Sequence, residues 1–312
     1  MSSWLHVPMG PNLRGWLGIN KELYTGDKTQ DPDKLNWDEF SAFLVNHAQK
    51  TPFIDENDLV DILDELVAMD LPKAAVNLYE ASTDIWSGTN FRGELSVGIA
   101  AMYLKDLSMA HEHLANAQRI IPEEPSPYIN IVQILLFQND FKSAREWIDT
   151  GLTAEPNNYS LWDQLADILQ EEYGGEFGNK LLEIANEKKA WAGVCLASEI
   201  IQSADTQLKH SLLEPFYSKG ERGHEFLIEY TASMGVSGNY SSIPQVLWDA
   251  EQNSTKGVPW QLYVHCAQAH IALNEKETAM KHLAKAKRDP HIPEDAIQMI
   301  QQIETDPDQF VH

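Results

Sequence analysis

The sequence has few cysteines and few basic residues, and each shortage excludes a class of protein. Its two cysteines, Cys195 and Cys266, stand far apart, and no CxxC or Cys/His spacing typical of a zinc site occurs. Both lie inside apolar helical patterns, so we expect buried free thiols in a reducing compartment. There are 23 basic residues against 47 acidic ones, a formal net charge of −24. Such a surface repels phosphate backbones, so nucleic acid is not an expected partner.

Long apolar runs are also missing. No stretch of 18 consecutive apolar residues occurs, so we expect no membrane insertion. The first residues, MSSWLHVPMGPNLRG, lack a basic segment followed by an apolar one and do not resemble a secretory signal. Together with the expected free thiols, these features predict a cytoplasmic protein.

Residues 1–35 differ from the rest of the chain. They are rich in Gly, Pro, Asn and Asp, which interrupt any helical period, so no helix is predicted there. They nevertheless carry large apolar side chains, at Trp4, Leu5, Trp16, Leu17 and Ile19. This combination predicts an N-terminal arm that docks on its own chain or on a second copy. After the arm, Asn36 with Glu39 three residues later predicts a capped helix start.

From about residue 56 the chain repeats itself every 34 residues. The stretches KDLSMAHEHLANAQRIIPEE and NDFKSAREWIDTGLTAEPNN match in kind at Asp106 and Asp140, Leu107 and Phe141, Ala110 and Ala144, Leu114 and Ile148, and Pro122 and Pro156. Each unit predicts two helices, with a proline closing the second. One helix pair cannot bury its apolar face alone, so we expect the pairs to stack through small residues.

The repeats divide residues 36–305 into successive units, followed by a tail at 306–312. They are predicted at 56–89, 91–124, 125–158, 159–192, 224–257 and 260–293, with an irregular stretch at 193–223 and a capping helix at 294–304. The irregular stretch predicts a change of curvature or a hinge. This pattern resembles the tetratricopeptide repeat superfamily over roughly residues 56–293. The resemblance implies an all-α, right-handed α-solenoid, a superhelix whose first helices line a concave groove.

The resemblance also places certain first-helix side chains in that groove. They are Asp61, Asp64, Arg92, Ile99, Met102, Tyr103, Asn130, Gln133, Leu136, Phe137, Asp163, Asp167 and Glu171. An apolar, aromatic centre flanked by carboxylates suits a peptide or helix with an apolar anchor and nearby Lys or Arg. The clamp that this family uses for a C-terminal carboxylate needs Lys, Arg and Asn, and here Arg92 and Asn130 are nearly alone. Packing between neighbouring units is the alternative explanation of this stripe.

Two function classes fit these features. The first is a non-catalytic scaffold, adaptor or dedicated chaperone that binds a peptide or partner protein. The second is an accessory or regulatory subunit that positions or controls a partner enzyme. No GxSxG, GxGxxG or phosphate-loop motif occurs, and no segment outside the repeats is large enough for a catalytic domain. The sequence therefore predicts neither catalysis by this chain nor a cofactor or metal. An enzyme in its own right is the third alternative.

Two groups of charged or titratable residues remain. The first comprises the histidines of HEH at 111–113, predicted to be solvated, and those of the last full unit, His265, His270, His282 and His291. His270 falls at a core position, so a satisfied histidine between helices is its simple interpretation, and a zinc or pH-sensing cluster of these residues is the alternative. The second group lies in the helix at 276–288 and comprises Lys276, Lys281, Lys285, Lys287 and Arg288. It predicts a solvated face, or a docking site for an acidic partner or for a second copy, so homo-oligomers through this helix or the arm are possible.

Overall fold

The computed structural model describes residues 9–19, 36–201, 207–255 and 257–310, and over these residues the chain is helical with no strand. The helices are α1 Pro11–Trp16, α2 Trp37–Lys50, α3 Glu56–Ala68, α4 Pro72–Glu80, α5 Phe91–Tyr103, α6 Leu107–Ile120, α7 Pro125–Phe137, α8 Phe141–Ala154 and α9 Tyr159–Tyr173. They continue as α10 Phe177–Lys188, α11 Trp191–Ile200, α12 Leu208–Ser218, α13 His224–Val236, α14 Ile243–Asn253, α15 Trp260–Ala272, α16 Lys276–Ala286 and α17 Glu294–Thr305. Helices that follow one another pack together, as in α5 with α6, α7 with α8 and α15 with α16. The predicted all-α fold of successive helix pairs is confirmed.

By its internal contacts the chain divides into two compact units, Met1–Gln164 and Leu165–His312. The division falls within α9 and not in the irregular stretch 193–223, where the sequence predicts a hinge. That hinge stays a prediction. Among the described residues, no helix combines the length and the apolar character that a membrane crossing requires.

The turn between the two helices of a pair is built in the same way in α5–α6 and α7–α8. Lys105 and Asn139, 34 residues apart, both adopt a left-handed backbone, with φ of 62° and 58°. The aspartate after each donates its N–H to a carbonyl five residues earlier, which closes the first helix. The carboxylates of Asp106 and Asp140 then accept the N–H three residues ahead, which starts the second helix. The 34-residue period of the sequence therefore reflects a turn that recurs with the same backbone geometry.

A second recurring bond ties each pair to the next first helix. Tyr128 donates its hydroxyl proton to the Pro122 carbonyl at 2.8 Å, and 34 residues later Trp162 Nε1 donates to the Pro156 carbonyl at 2.8 Å. Both aromatic rings are buried. A large aromatic residue and a closing proline therefore recur together because the aromatic side chain donates a hydrogen bond to the proline carbonyl.

Close approach of neighbouring helices in the first unit depends on two glycines. A Cβ atom on Gly98 of α5 would lie 2.7 Å from Leu114 Cγ of α6, the other helix of its pair, and one on Gly151 of α8 would lie 2.7 Å from Leu161 Cδ1 of α9, the first helix of the next pair. No real side chain tolerates contacts this short, so a larger residue would push the helices apart. Small residues at these points permit the spacing of the pairs, as the repeat pattern predicts.

The described part of the arm docks on its own chain. Met9, Leu13 and Leu17 are buried in the core that α2 and α3 form. The Trp16 ring stacks on Phe53 with centroids 4.6 Å apart, and its edge contacts His47. Docking in cis is therefore shown for residues 9–19. Trp4 and Leu5 lie outside the described residues.

The expectation that the arm contains no helix is wrong, because a tertiary contact supplies what the local sequence lacks. The six residues of α1 have no side-chain cap of their own. Instead the carboxylate of Glu65, on α3, accepts the N–H groups of Asn12 and Leu13, both at 2.9 Å. A carboxylate at a helix N-terminus satisfies free N–H groups and opposes the positive end of the helix dipole.

The second unit uses a charged side chain where the repeat loses its period. Lys209, on α12, donates to Glu199 of α11 and to Glu229 of α13, both at 2.8 Å. One ammonium group thus links three helices of the stretch that the sequence predicts to be irregular. At the end of the chain, Ile300 and Ile303 of α17 are buried against Leu283 of α16, so α17 covers the last pair.

Candidate functional site

Equivalent side chains recur on the first helices of three successive pairs in the first unit. On α5, Arg92, Ser96, Ile99 and Tyr103 follow one another by four, three and four residues, so they share one side of the helix. The same positions on α7 are Ser126, Asn130, Gln133 and Phe137, each 34 residues later, and the matching side of α3 carries Asp61 and Asp64. α3 contacts α5, and α5 contacts α7. We call these ten residues, of which Ser96 is buried, the A-face.

The A-face is charged at the end where α5 begins. Arg92 Nε donates to Asp64 Oδ2 at 3.0 Å, and its Nη2 donates to Asp61 Oδ1 at 3.0 Å and also contacts Asp64. Ser96 donates its hydroxyl proton to Asp64 as well. The only basic residue predicted for the groove is therefore held by two carboxylates of the same surface. These three side chains carry one net negative charge and give no support to a carboxylate clamp.

The other end of the A-face is apolar. Tyr103 and Phe137 end α5 and α7, and their side chains are 61% and 66% exposed. Met102 and Leu136, the residues before them, are half-buried and border the A-face. Eleven residues of helix separate Arg92 from Tyr103, which is roughly 16 Å. The A-face can thus contact a ligand of about five extended residues or three helical turns.

The remaining predicted groove residues differ in how they are placed. Ile99 is half-buried and Gln133 is exposed. The Asn130 amide donates to the carbonyl of Ser126 at 2.8 Å, one turn earlier on its own helix. On α9, Asp163 is exposed in the first unit. Asp167 and Glu171 are exposed on the part of α9 that belongs to the second unit, so they are described apart from the A-face.

A buried polar network between α5 and α6 was missed by the sequence analysis. The carboxylate of Glu94, which is 1% exposed, accepts from His113 Nδ1 at 2.7 Å, Trp86 Nε1 at 2.9 Å and Asn116 Nδ2 at 3.2 Å. The Tyr79 ring meets the His113 ring edge to face, with centroids 5.1 Å apart. The expectation that both histidines of HEH are solvated is therefore wrong for His113.

The environment of Glu94 keeps its carboxyl ionised. Burial alone raises the pKa of Glu94, but the hydrogen bonds from His113 and Trp86 and the charge of His113 outweigh burial, and the net pKa is lowered. The signal for this network was available in the sequence. Glu94 precedes Val97 and Gly98 by one turn, so a helix places it on the core side among apolar residues.

The basic helix at 276–288 is largely neutralised by its own chain. Lys281 pairs with Glu277 at 3.0 Å, Lys285 pairs with Glu251 at 2.9 Å, and Lys287 pairs with Glu304 at 2.6 Å, while Lys276 also has an interaction partner. Arg288 is exposed in the turn that follows α16. These pairs weaken the hypothesis that this helix binds an acidic partner or a second copy.

The two cysteines and two of the last unit's histidines have simple surroundings. Cys195 and Cys266 are buried thiols that are not disulfide-bonded, as predicted. Burial raises the pKa of the Cys266 thiol to about 12. His265 lies 2.8 Å from the hydroxyl of Thr231, and His291 is exposed.

Comparison with solved structures finds proteins of repeated helix pairs. A tetratricopeptide repeat protein from Parabacteroides merdae is 13% identical over 80% of this chain and 98% of its own, with a TM-score of 0.40. Yeast Tom70 is 14% identical over 88% of this chain and 59% of its own, with a TM-score of 0.48. PilF of Pseudomonas aeruginosa is 14% identical over 69% of this chain and 96% of its own, with a TM-score of 0.36.

No protein-family model matches the chain, and no curated protein matches it. The assignment of the fold therefore depends on the chain's own helix pairs, its recurring turns and its 34-residue period. These features are the ones that define tandem two-helix repeats.

Proposed function

We propose that this chain is a non-catalytic protein-binding module whose A-face binds a peptide or helix of a partner protein. The ligand carries one apolar or aromatic anchor and, several residues away, Lys or Arg. The observation that carries the proposal is the pair of exposed aromatic rings, Tyr103 and Phe137, at equivalent positions of two contacting helices. Exposed aromatic side chains over an apolar base are typical of the energetic centre of a protein interface.

The charge at the other end of the A-face supports a basic ligand. Asp61 and Asp64 share one arginine, which leaves a net negative charge beside Ser96. Asp163 adds an exposed carboxylate in the same unit. Carboxylates near a binding site attract basic groups and raise the rate of association at low salt. Whether the partner that owns the peptide is an enzyme decides between an adaptor and a regulatory subunit.

Selection of peptides from a randomised displayed library tests the proposal. We expect enrichment of an apolar anchor with Lys or Arg at a distance of three to five residues. Titration of a selected peptide then compares the native chain with the double variant Tyr103→Ala/Phe137→Ala. Affinity should fall at least tenfold in the double variant, because the anchor loses both rings. The matched control is Trp248→Ala, which removes a 56% exposed aromatic ring from the second unit and should leave affinity unchanged.

Charge variants separate the two ends of the A-face. Asp61→Asn and Asp163→Asn should slow association and flatten its dependence on salt, with little effect on dissociation. Equal affinity of the native chain and the aromatic double variant, both folded by circular dichroism, would move the binding site away from the A-face. Failure to select any peptide would reject peptide binding as the function of this surface.

A further inference from the structure

Three side chains of the metal-binding types meet in the last full helix pair. Cys266 and His270 lie one turn apart on α15, and His282 reaches them from α16. One ligand atom from each, the cysteine sulfur and one ring nitrogen of each histidine, lies within 4.8 Å of the other two. Helix pairing alone does not require this meeting, because alanine or leucine occupies most of the other core positions of this pair.

The ring of His270 is oriented as a metal ligand would be. Its Nδ1 lies 2.7 Å from the carboxylate of Glu275, whose own N–H donates to the His270 carbonyl at 2.7 Å. A neutral His270 therefore donates from Nδ1 and keeps the lone pair of Nε2 free. A carboxylate that fixes the tautomer from behind is the usual companion of a metal-binding histidine.

His282 contributes a second, independent observation. Its ring lies parallel to the ring of His270, at an interplanar angle of 5° and a centroid distance of 5.2 Å. Its Nδ1 is buried and has no hydrogen-bond partner within the described part of the chain. Burying a polar nitrogen without a partner costs free energy, and a bound ion is one reason for such a group to persist.

We propose that Cys266, His270 and His282 bind a zinc ion, with Glu275 as the carboxylate behind His270. On binding, the S–H bond of Cys266 breaks, its proton goes to water and a zinc–sulfur bond forms. The charge is then balanced, because the thiolate and Glu275 together offset the two charges of the ion. Tetrahedral zinc holds nitrogen and sulfur ligands roughly 3.3–3.6 Å apart, so side-chain rotations bring the three together.

One thiolate with two imidazoles is a donor set that suits zinc. Three protein ligands leave the fourth position to water. The His270 side chain is 12% exposed, which gives the ion a route from solvent to the buried sulfur. The ion would join α15 to α16 at the pair that α17 covers.

Metal titration of the full chain after chelator treatment tests the proposal. We expect one equivalent of zinc to bind with a dissociation constant below 1 µM. Cobalt should bind at the same place and give the intense d–d bands of a tetrahedral ion together with a thiolate-to-cobalt charge-transfer band. Cys266→Ser should abolish the charge-transfer band and weaken zinc binding at least 100-fold. Cys195→Ser is the matched control, since it makes the same change at the other buried cysteine and should change neither.

Two further variants keep the result interpretable if Cys266→Ser does not fold. Glu275→Gln, at a half-exposed position, should weaken zinc binding about 10- to 100-fold while leaving the charge-transfer band in place. His291→Gln, at an exposed histidine, should have no effect. Less than half an equivalent of zinc bound by the native chain, or equal binding by the Cys266→Ser and Cys195→Ser variants, would overturn the proposal. Copper(I) binding without zinc binding would also overturn it.

Discussion

Neighbouring helices are held together differently in the regular and in the irregular part of the chain. The regular part includes the pairs α5–α6 and α7–α8, and the irregular part is the stretch α11–α12. In the regular part, Gly98 lets α5 approach α6, and Gly151 lets α8 approach α9, until a single added carbon would collide. In the stretch, Lys209 bridges two glutamates, and Tyr230, on α13, donates to the carboxylate of Glu214 on α12. Backbone approach demands one spacing and therefore keeps a 34-residue period. A long charged side chain reaches its partners over a range of spacings, so the period can lapse where polar bridges replace small residues.

Glu94 provides the strongest test of whether small residues alone hold the regular pairs. Glu94→Ala should lower the free energy of unfolding by about 3–5 kcal/mol, because it leaves the buried His113 and the half-buried Trp86 and Asn116 N–H groups without their acceptor. Denaturant unfolding at neutral pH measures the change. A loss under 1 kcal/mol would show that apolar packing is sufficient.

The control for Glu94 lies next to its partner. Glu112 precedes His113 on α6 and is exposed, and Glu112→Ala should change the free energy of unfolding by less than about 0.5 kcal/mol. Glu94→Gln should fall between the two alanine variants, since it keeps the shape of the side chain but loses its charge. Equal effects at Glu94 and Glu112 would contradict a role for the buried network.

Glycine substitution compares the two units directly. Gly98→Ala should destabilise by about 1–3 kcal/mol, because the new carbon would lie 2.7 Å from Leu114 Cγ and 3.2 Å from the Leu114 nitrogen. Gly235→Ala, on α13 of the second unit, meets no atom within 4 Å and should be neutral or stabilising by up to about 1 kcal/mol. Thermal unfolding of both variants measures the difference. A stable Gly98→Ala variant would mean that the α5–α6 spacing can relax.

The sequence predicts the regular part of the fold because the repeat is local. The turn residues, the aspartate caps and the closing prolines each act within one or two helices, so a 34-residue comparison finds them. It cannot predict α1, because its cap comes from Glu65 more than fifty residues away. The division within α9 is also beyond the sequence, since α9 carries the repeat pattern without interruption.

The candidate site was likewise predictable only where it depends on the repeat. Period alone predicts that Tyr103 and Phe137 occupy equivalent positions, and the structure adds that both are exposed. The period does not predict that Arg92 forms ion pairs with Asp61 and Asp64, because this pairing depends on how α3 packs against α5. The meeting of Cys266 with His282 likewise depends on the register between two helices, which no spacing within one helix reveals.

Lys209 tests the other side of the comparison. Lys209→Met keeps the stem of the side chain but removes the charge that joins three helices, and it should destabilise by about 1 kcal/mol. Hydrogen exchange measures where this loss falls. Protection should decrease across α11 and α12, while α7 and α8 should be unaffected. Unchanged protection in α11 and α12 would mean that the charge of Lys209 does not stabilise the irregular stretch.

The smallest expected effect is the acid sensitivity that Glu94 gives to the regular pair. Its folded-state pKa is lowered relative to the unfolded chain, so its ionised form adds stability above the ordinary carboxyl pKa of about 4.3. This contribution is lost as the pH falls through the ordinary value and then through the lowered one. The difference in unfolding free energy between the native chain and Glu94→Gln should therefore be largest near neutral pH and shrink between about pH 5 and pH 3. A Glu94→Gln difference that stays constant down to pH 3 would mean that charge contributes nothing to this pair and that shape alone explains the buried carboxylate.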